Sequence, residues 1–199
     1  MSLITFDANK KRDVVLIGRV TLDFNPNELN RTLDKVETFS MYLGGSPGNM
    51  AVGINKLGKK VGFIGCVSDD QFGDFVLHYF EARGIDTSQM TRAQHGERMG
   101  LTFTEIKSPT ESSILMYRDA VADLQIRPED VDEQYIADSK ILIVSGTALS
   151  ASPSREACLI AAQYAKKHGT RILFDIDYRP YSWRTKKEIQ IYYSLLAGM

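Results

Sequence analysis

The residues with the clearest chemical potential begin with a glycine pair, Gly44 and Gly45, at the predicted start of a helix. We predict that Ser46 caps this helix and that Pro47 is its first residue. Glycine lets the backbone approach a ligand closely, and the free N–H groups of a helix start point into the same space. Asn49 offers both a donor and an acceptor, which suits a sugar hydroxyl. A tight strand-to-helix turn without a ligand would have the same pattern.

Carboxylates follow two predicted strands. Asp23 comes shortly after Gly18, where the first strand ends, and both Asp175 and Asp177 follow a strand that ends at Phe174. Ligands of open α/β sheets bind beyond the carboxyl ends of the strands, so these side chains are candidates for one site. Asp23 can accept hydrogen bonds from hydroxyls, and the other two carboxylates can support Mg²⁺ through water. A solvated loop and an ion-paired loop are the alternatives.

Two arginines are candidates for binding an anionic group. Arg179 follows the Asp175–Asp177 segment, and its planar guanidinium can grip a carboxylate or a phosphate with two hydrogen bonds. Arg118, with Tyr117 before it, ends a predicted hairpin. We expect it either to face a ligand under that hairpin or to be solvated, as surface arginines commonly are.

Composition excludes several other classes of protein. The 199 residues include 24 Lys and Arg against 25 Asp and Glu, so no strong field attracts nucleic acid or an anionic membrane. Two cysteines and three scattered histidines cannot build a disulfide scaffold or a zinc cluster. No apolar run is long enough for a membrane span, and the polar segment Met1–Arg12 has no signal-peptide pattern. We therefore expect a cytoplasmic protein.

A nucleotide-binding P-loop is also rejected. The segment Gly53–Lys59 has two glycines four residues apart followed by lysine, but the next residue is Lys60 rather than Ser or Thr. The segment also lies at the end of a predicted helix, whereas a P-loop leads into one.

Buried strands that alternate with helices must position these residues. Continuous apolar runs predict buried strands, and helix-start and helix-stop signals lie between them. This order predicts an α/β fold with a mostly parallel sheet. Amphipathic strands interrupt it in two insertions, at about 20–43 and 98–120, which we expect to pair into a small separate sheet. The predicted strands cover residues 14–18, 61–67, 141–144 and 172–174, and the predicted helices begin near residues 46, 70, 153 and 188.

Several of these segments together resemble the ribokinase-like family of carbohydrate kinases. The strongest match is Leu43–Ala51 with the Leu57-Gly58 pair that follows, which is similar to the family's double glycine, Asn-x-Ala and Leu-Gly signature. Asp175–Arg179 is similar to the family's Asp-x-Asn-x-Arg, but Asp177 stands where Asn is usual. The match extends from about residue 13 to 179. Further matching residues are Val61–Val67, Asp70, Gly73 and Gly84–Asp86.

The resemblance implies a doubly wound α/β domain with a β-sheet lid, and ATP- and Mg²⁺-dependent phosphorylation of a sugar hydroxyl. It implies that the sugar is held by Asp23, Gly44, Gly45 and Asn49. Arg179 would lie near the anionic end of the sugar or the transferred phosphate, with Asp175 and Asp177 in the phosphate or Mg²⁺ environment. It also implies that the lid forms a homodimer contact.

The substrate implied is an acidic or keto sugar. The pair Tyr117-Arg118 is similar to a lid tyrosine and arginine of the family's kinases for 2-keto-3-deoxygluconate. The segments Gly44–Asn49 and Asp175–Pro180 favour 5-dehydro-2-deoxy-D-gluconate, a compound of myo-inositol catabolism. Fructose and 2-keto-3-deoxygluconate remain alternative substrates, and a sugar-binding module without catalysis is the alternative of a different class.

The family's catalytic base is an Asp in a Gly-Ala-Gly-Asp-like segment, and no such segment occurs between Met1 and Met199. We therefore expect residues 1–199 to be the N-terminal part of one kinase domain. The catalytic base and the C-terminal ATP-binding part would lie beyond Met199. We expect the 199-residue polypeptide alone to be inactive, since phosphoryl transfer needs charge stabilisation around the phosphates.

Overall fold

The structure is a computed structural model that describes residues 5–199. Residues 1–4 lie outside the described residues. They include the start of the Met1–Arg12 segment, in which we predict no signal peptide. No helix within residues 5–199 combines the length and the apolar character that crossing a membrane requires.

The main sheet has five parallel strands in the spatial order β5-β4-β1-β8-β9. Strand β1 shows why its apolar run is continuous: Val15 and Ile17 belong to one core cluster, whereas Val14 and Leu16 belong to the other. Both faces are therefore covered, as we predict for a parallel sheet. The strands are β1 (Arg12–Ile17), β4 (Val61–Val67), β5 (Asp86–Arg92), β8 (Ser139–Ser145) and β9 (Arg171–Asp175).

Helices cover both faces of this sheet. Helices α1 (Ser46–Lys56) and α2 (Gln71–Glu81) pack in the cluster that contains Leu16, and three others pack in the cluster that contains Ile17. This arrangement confirms the doubly wound α/β fold. The three others are α3 (Glu133–Ala137), α4 (Ser154–Lys167) and α5 (Lys186–Ala197), and single 3₁₀ turns cover Leu33–Lys35, Ala122–Leu124, Pro128–Asp130, Gly146–Leu149 and Pro180–Ser182.

A second, mixed sheet of four strands has the spatial order β3-β2-β6-β7. Strand β2 runs antiparallel to β3 and parallel to β6, and β6 forms an antiparallel hairpin with β7. The small separate sheet that we predict is therefore present, and both insertions contribute to it. Its strands are β2 (Thr21–Pro26), β3 (Phe39–Gly44), β6 (Gly100–Ser108) and β7 (Glu111–Tyr117).

One strand is absent from the sequence-based prediction. Asp23, for which a solvated loop is the alternative, lies in β2 within the predicted insertion at about 20–43, whereas the polar segment Asp86–Arg92, which no apolar pattern marks, forms the edge strand β5. An edge strand has one neighbour and keeps much of its surface wet, so its sequence need not be apolar. The opposite edge strand, β9, is also less buried than its apolar sequence suggests, with Leu173 47% exposed.

The start of α1 also differs from the prediction. Gly45 rather than Ser46 is the residue that precedes the helix, and Ser46 is already helical. At the other end, Leu57 follows the last turn and is 78% exposed. Gly58, with φ +76°, comes next in the left-handed conformation that commonly ends helices.

A fully buried leucine and a largely exposed one, Leu142 and Leu57, give a matched test of stability. We expect Leu142→Ala to lower the free energy of unfolding by about 2–5 kcal/mol, since Leu142 is fully buried and its truncation leaves a cavity. Leu57→Ala should change that free energy by less than about 0.5 kcal/mol. Urea denaturation measures both values, and equal losses would contradict the packing described here.

Candidate functional site

A cleft of about 800 Å³ lies between the carboxyl end of the main sheet and one face of the second sheet. Its floor comes from the segments that follow β1, β3 and β9, and its roof comes from alternate residues of β2, β6 and β7. The floor residues are Arg19, Gly45, Ser46, Asn49, Arg179 and Tyr181, and the roof and rim residues are Thr21, Asp23, Thr102, Ile114, Met116, Arg118 and Asp119. The cleft thus unites five of the predicted site residues: Asp23, Gly45, Asn49, Arg118 and Arg179.

The glycine turn brings the start of α1 against the end of β1. Gly45 has φ +85°, and a Cβ atom there would lie 2.8 Å from the carbonyl oxygen of Arg19. The same oxygen accepts a hydrogen bond from the N–H of Gly48 at 3.3 Å. Only glycine allows this approach without strain, because it has no Cβ and tolerates positive φ. The first turn of α1, which carries Asn49, therefore faces the cleft.

The side chain of Ser46 does not cap α1. Its Oγ donates a hydrogen bond to Oδ2 of Asp175 at 3.1 Å and so ties the start of the helix to the end of β9. Asp175 lies behind the cleft wall and is not among the residues that line it.

Strand register places Asp23 in the roof. Asp23 pairs with Tyr42 on one side and with Thr102 on the other, and Thr102 pairs in turn with Met116. Because directly opposed residues of neighbouring strands share a face, this row points one way across all four strands. Gly44 lies beside it, and a Cβ at that position would overlap the carboxylate of Asp23. Gly44 therefore leaves room for that carboxylate rather than lining the cleft itself.

The carboxylate of Asp23 is partly withdrawn from water. Burial raises the pKa of Asp23 above its ordinary value, although hydrogen bonds from Thr102 and Thr21 and the positive charge of Arg19 oppose that rise. The hydroxyl of Thr21 lies 3.5 Å from Oδ1 of Asp23. A sugar hydroxyl that donates to this carboxylate would replace lost solvent contacts.

Asp177 is a buried counterion. Its side chain is 4% exposed, with Oδ1 at 2.8 Å from Nη2 of Arg179 and Oδ2 at 3.7 Å from Nη2 of Arg19. The hydroxyls of Ser145 and Thr147 donate to Oδ2 at 3.3 and 3.4 Å. Asp177 does not line the cleft, and it positions the arginines that do.

The hairpin residues Tyr117 and Arg118 occupy different environments. The guanidinium of Arg118 lines the cleft, but its two terminal nitrogens donate to the carboxylate of Asp123 at 3.2 and 2.8 Å. Tyr117 lies outside the cleft lining, and its ring packs edge-on against Phe103 with centroids 5.8 Å apart. Neighbouring residues of a strand point to opposite faces, which explains why Tyr117 and Met116 separate.

Asp175 and Asp177 both have partners within the protein. Within residues 5–199, no three His, Cys, Asp or Glu side chains lie close enough together to hold a metal ion. Asp175 is bonded to Ser46, and Asp177 lies between two guanidinium groups. A carboxylate enclosed by two cations is a poor ligand for a further cation.

Sequence reasoning missed the roof threonines and Arg19. Thr21 and Thr102 join Asp23 only through strand register, so no local pattern marks them. Arg19 has a clearer signal, since it directly follows Gly18 at the carboxyl end of β1.

Residues 11–196 match the pfkB family of carbohydrate kinases, and the chain belongs to this family. It is 62% identical, over its full length, to the 5-dehydro-2-deoxygluconokinase of Clostridium tetani, and covers 59% of that protein. It is 53% identical over 197 residues to the protein of the same name from Geobacillus kaustophilus, again covering 59% of it. A solved structure of a fructokinase with bound ATP from Xylella fastidiosa has a TM-score of 0.80 at 25% identity, with 92% of this chain and 59% of that chain aligned.

The chain thus spans about three-fifths of the length of the curated relatives that it matches. An additional part of roughly two-fifths in those relatives has no counterpart among these 199 residues.

The close approach at Gly45 can be tested against a second glycine of similar conformation. Gly58 has φ +76° but nothing within 4 Å of an added Cβ. We expect Gly58→Ala to lower the free energy of unfolding by about 1–2 kcal/mol through its positive φ alone. Gly45→Ala should lower it by about 3 kcal/mol or more, because the Cβ also meets backbone. Thermal and urea denaturation compare the two, and equal losses would contradict the contact with Arg19.

The raised pKa of Asp23 predicts a specific pH dependence. The folded protein holds this proton more tightly than the unfolded chain, so the contribution of Asp23 to stability is largest below its unfolded pKa. That contribution is lost as the pH rises through the raised pKa. The stability of Asp23→Asn relative to wild type should therefore increase from pH 3 to pH 7 in urea denaturation.

Asp13→Asn is the matched control with the opposite sign. A hydrogen bond from Lys140 holds the pKa of Asp13 below its ordinary value, so its carboxylate stabilises the fold above its unfolded pKa. The relative stability of Asp13→Asn should fall over the same pH range. A parallel trend in the two variants would contradict the burial of Asp23.

Proposed function

We propose that the whole protein that contains this chain transfers a phosphoryl group from ATP to a hydroxyl of 5-dehydro-2-deoxy-D-gluconate, in myo-inositol catabolism. One observation carries the proposal. Asp23, Asn49 and Arg179 line one cleft, and the chain is 62% identical along its entire length to the 5-dehydro-2-deoxygluconokinase of Clostridium tetani.

The cleft residues have chemistry that suits a polyhydroxylated acid. Asp23 accepts hydrogen bonds from hydroxyls, Asn49 both donates and accepts, and the backbone at Gly45 leaves space for close approach. Arg179 lies on the floor, where it meets the anionic end of the sugar or the transferred phosphate. The side chain of Arg179 is 43% exposed and is steadied by Asp177, so it can reach a ligand.

ATP is the proposed phosphoryl donor, with Mg²⁺ as its usual companion. Related solved structures carry ATP, including an uncharacterized sugar kinase from Pyrococcus horikoshii at 26% identity and a TM-score of 0.78. We place the catalytic base and most of the ATP site in the part of the relatives that these 199 residues do not cover. Within the present chain, the residues bind and orient the sugar, which is a large share of what phosphoryl transfer requires.

The second sheet has the features of a lid that also joins two subunits. One face roofs the cleft, and the other carries a row of aromatic contacts in which Phe24 and Phe103 stack at 5.0 Å. On that outer face Tyr117 is 57% exposed and Leu115 43% exposed. Covering such an apolar face with the same face of a second copy is a common route to a homodimer. The enzyme would act in the cytoplasm, where ATP is available.

A substrate panel tests the proposed activity. With the whole protein, ATP and Mg²⁺, a coupled assay should give the highest kcat/KM for 5-dehydro-2-deoxygluconate among that acid, 2-keto-3-deoxygluconate and fructose. Preference for fructose would favour the fructokinase alternative. Binding without phosphorylation of any sugar would favour the non-catalytic module instead.

Two asparagines on the same helix give a matched pair for the site. Asn49→Ala should reduce kcat/KM by about 10- to 100-fold, because a hydrogen-bonding partner of the sugar is lost. Asn55→Ala, six residues further along α1 and outside the cleft, should change it less than about twofold. Equal effects would contradict the role of Asn49.

A further inference from the structure

Three arginine side chains line the cleft, and two of them have close carboxylate partners. Arg118 donates to both oxygens of Asp123, and Arg179 lies 2.8 Å from Asp177. Arg179 also donates through Nη1 to the carbonyl oxygen of Tyr178 at 3.0 Å. The positive charges of Arg118 and Arg179 are therefore largely compensated by carboxylates of the protein.

Arg19 is different. Its side chain is only 5% exposed, yet neither Nε nor Nη1 has a hydrogen-bond partner within residues 5–199. Its nearest carboxylate oxygen is Oδ2 of Asp177, 3.7 Å from Nη2 and beyond hydrogen-bond distance. Buried charged donors without partners are costly, and native structures rarely keep them without a reason.

The backbone of Arg19 is fixed by a hydrogen bond, whereas two nitrogens of its guanidinium have no hydrogen-bond partner among the described residues. Its carbonyl oxygen accepts from Gly48 and lies under Gly45, so the residue is fixed between β1 and the glycine turn. Among residues 5–199, the closest carboxylate contact of the guanidinium is the 3.7 Å approach of Nη2 to Asp177. Because Nε and Nη1 have no partner to give up, turning them toward the cleft that Arg19 lines breaks no hydrogen bond of theirs.

We propose that Arg19 is the residue that selects for an acid, by donating hydrogen bonds from its guanidinium to the carboxylate of the bound sugar. This inference rests on the proposed function, since it needs an acidic substrate in the cleft. It assigns carboxylate recognition to Arg19 rather than to Arg118, whose two terminal nitrogens already bind Asp123. On binding, Nε and Nη1 of Arg19, which have no acceptor among the described residues, would donate to the carboxylate oxygens of the substrate.

The test compares an acid with its neutral counterpart. The probes are 5-dehydro-2-deoxygluconate and its alcohol analogue, in which a hydroxymethyl group replaces the carboxylate. Titration calorimetry on the whole protein without nucleotide measures Kd for each. Arg19→Met should weaken binding of the acid by about 10- to 100-fold and change binding of the alcohol less than about threefold.

Arg118→Met is the matched control at the other wall of the cleft. It should weaken binding of the acid and the alcohol by similar factors, because its loss disturbs the ion pair with Asp123 rather than a bond to the carboxylate. Selective loss of the acid in Arg118→Met, or equal loss of both ligands in Arg19→Met, would overturn the assignment. An unchanged Kd for the acid with a raised KM for ATP would assign Arg19 to a phosphate and overturn it as well.

A double variant separates a folding defect from a loss of carboxylate recognition, and the wild-type titration separates the role of Arg19 from the proposed substrate. If Arg19→Met fails to fold because Asp177 loses a cation, the double variant Arg19→Gln/Asp177→Asn removes both charges together and should show the same selective loss. If the wild-type protein binds neither probe, the proposed substrate fails. If it binds both and Arg19→Met does not discriminate between them, only the role of Arg19 fails.

Discussion

The contact between the Gly45 backbone and the carbonyl oxygen of Arg19 is the constraint on which the site depends. Strand β2 begins two residues after Arg19, and β3 ends immediately before Gly45, with Thr21 paired to Gly44. The second sheet therefore extends from the point where α1 meets the end of β1. A side chain at position 45 would separate these segments, and the roof and the floor of the cleft would move apart together.

Three charged side chains lie close to this contact: Arg19, Arg179 and Asp177. The negative charge of Asp177 lies between Arg19 and Arg179. Removing one member of such a buried group leaves an uncompensated charge, so the three positions constrain one another. Asp177 behind the floor is therefore paired with arginine, whereas Nε and Nη1 of Arg19 have no hydrogen-bond partner among the described residues.

The roof depends on a different rule, the two-residue period of strands. That period points Asp23 and Thr102 into the cleft and Phe24 and Phe103 away from it. A slip of one residue between β2 and β6 would exchange a hydrogen-bonding surface for an aromatic one. The same register thus supplies a polar roof on one face of the sheet and an apolar surface on the other.

Local patterns of apolar residues, helix signals and glycine were enough to predict the α/β class, the buried strands, the glycine turn and five of the residues that line the cleft. These patterns do not mark β5 as a strand, since an edge strand takes its stability from its neighbour rather than from its own composition. Which arginine has unpaired donors among the described residues depends on contacts between segments far apart in the chain. The sequence singled out Arg118 and not Arg19, and the difference between them arises from the carboxylates that folding brings beside them.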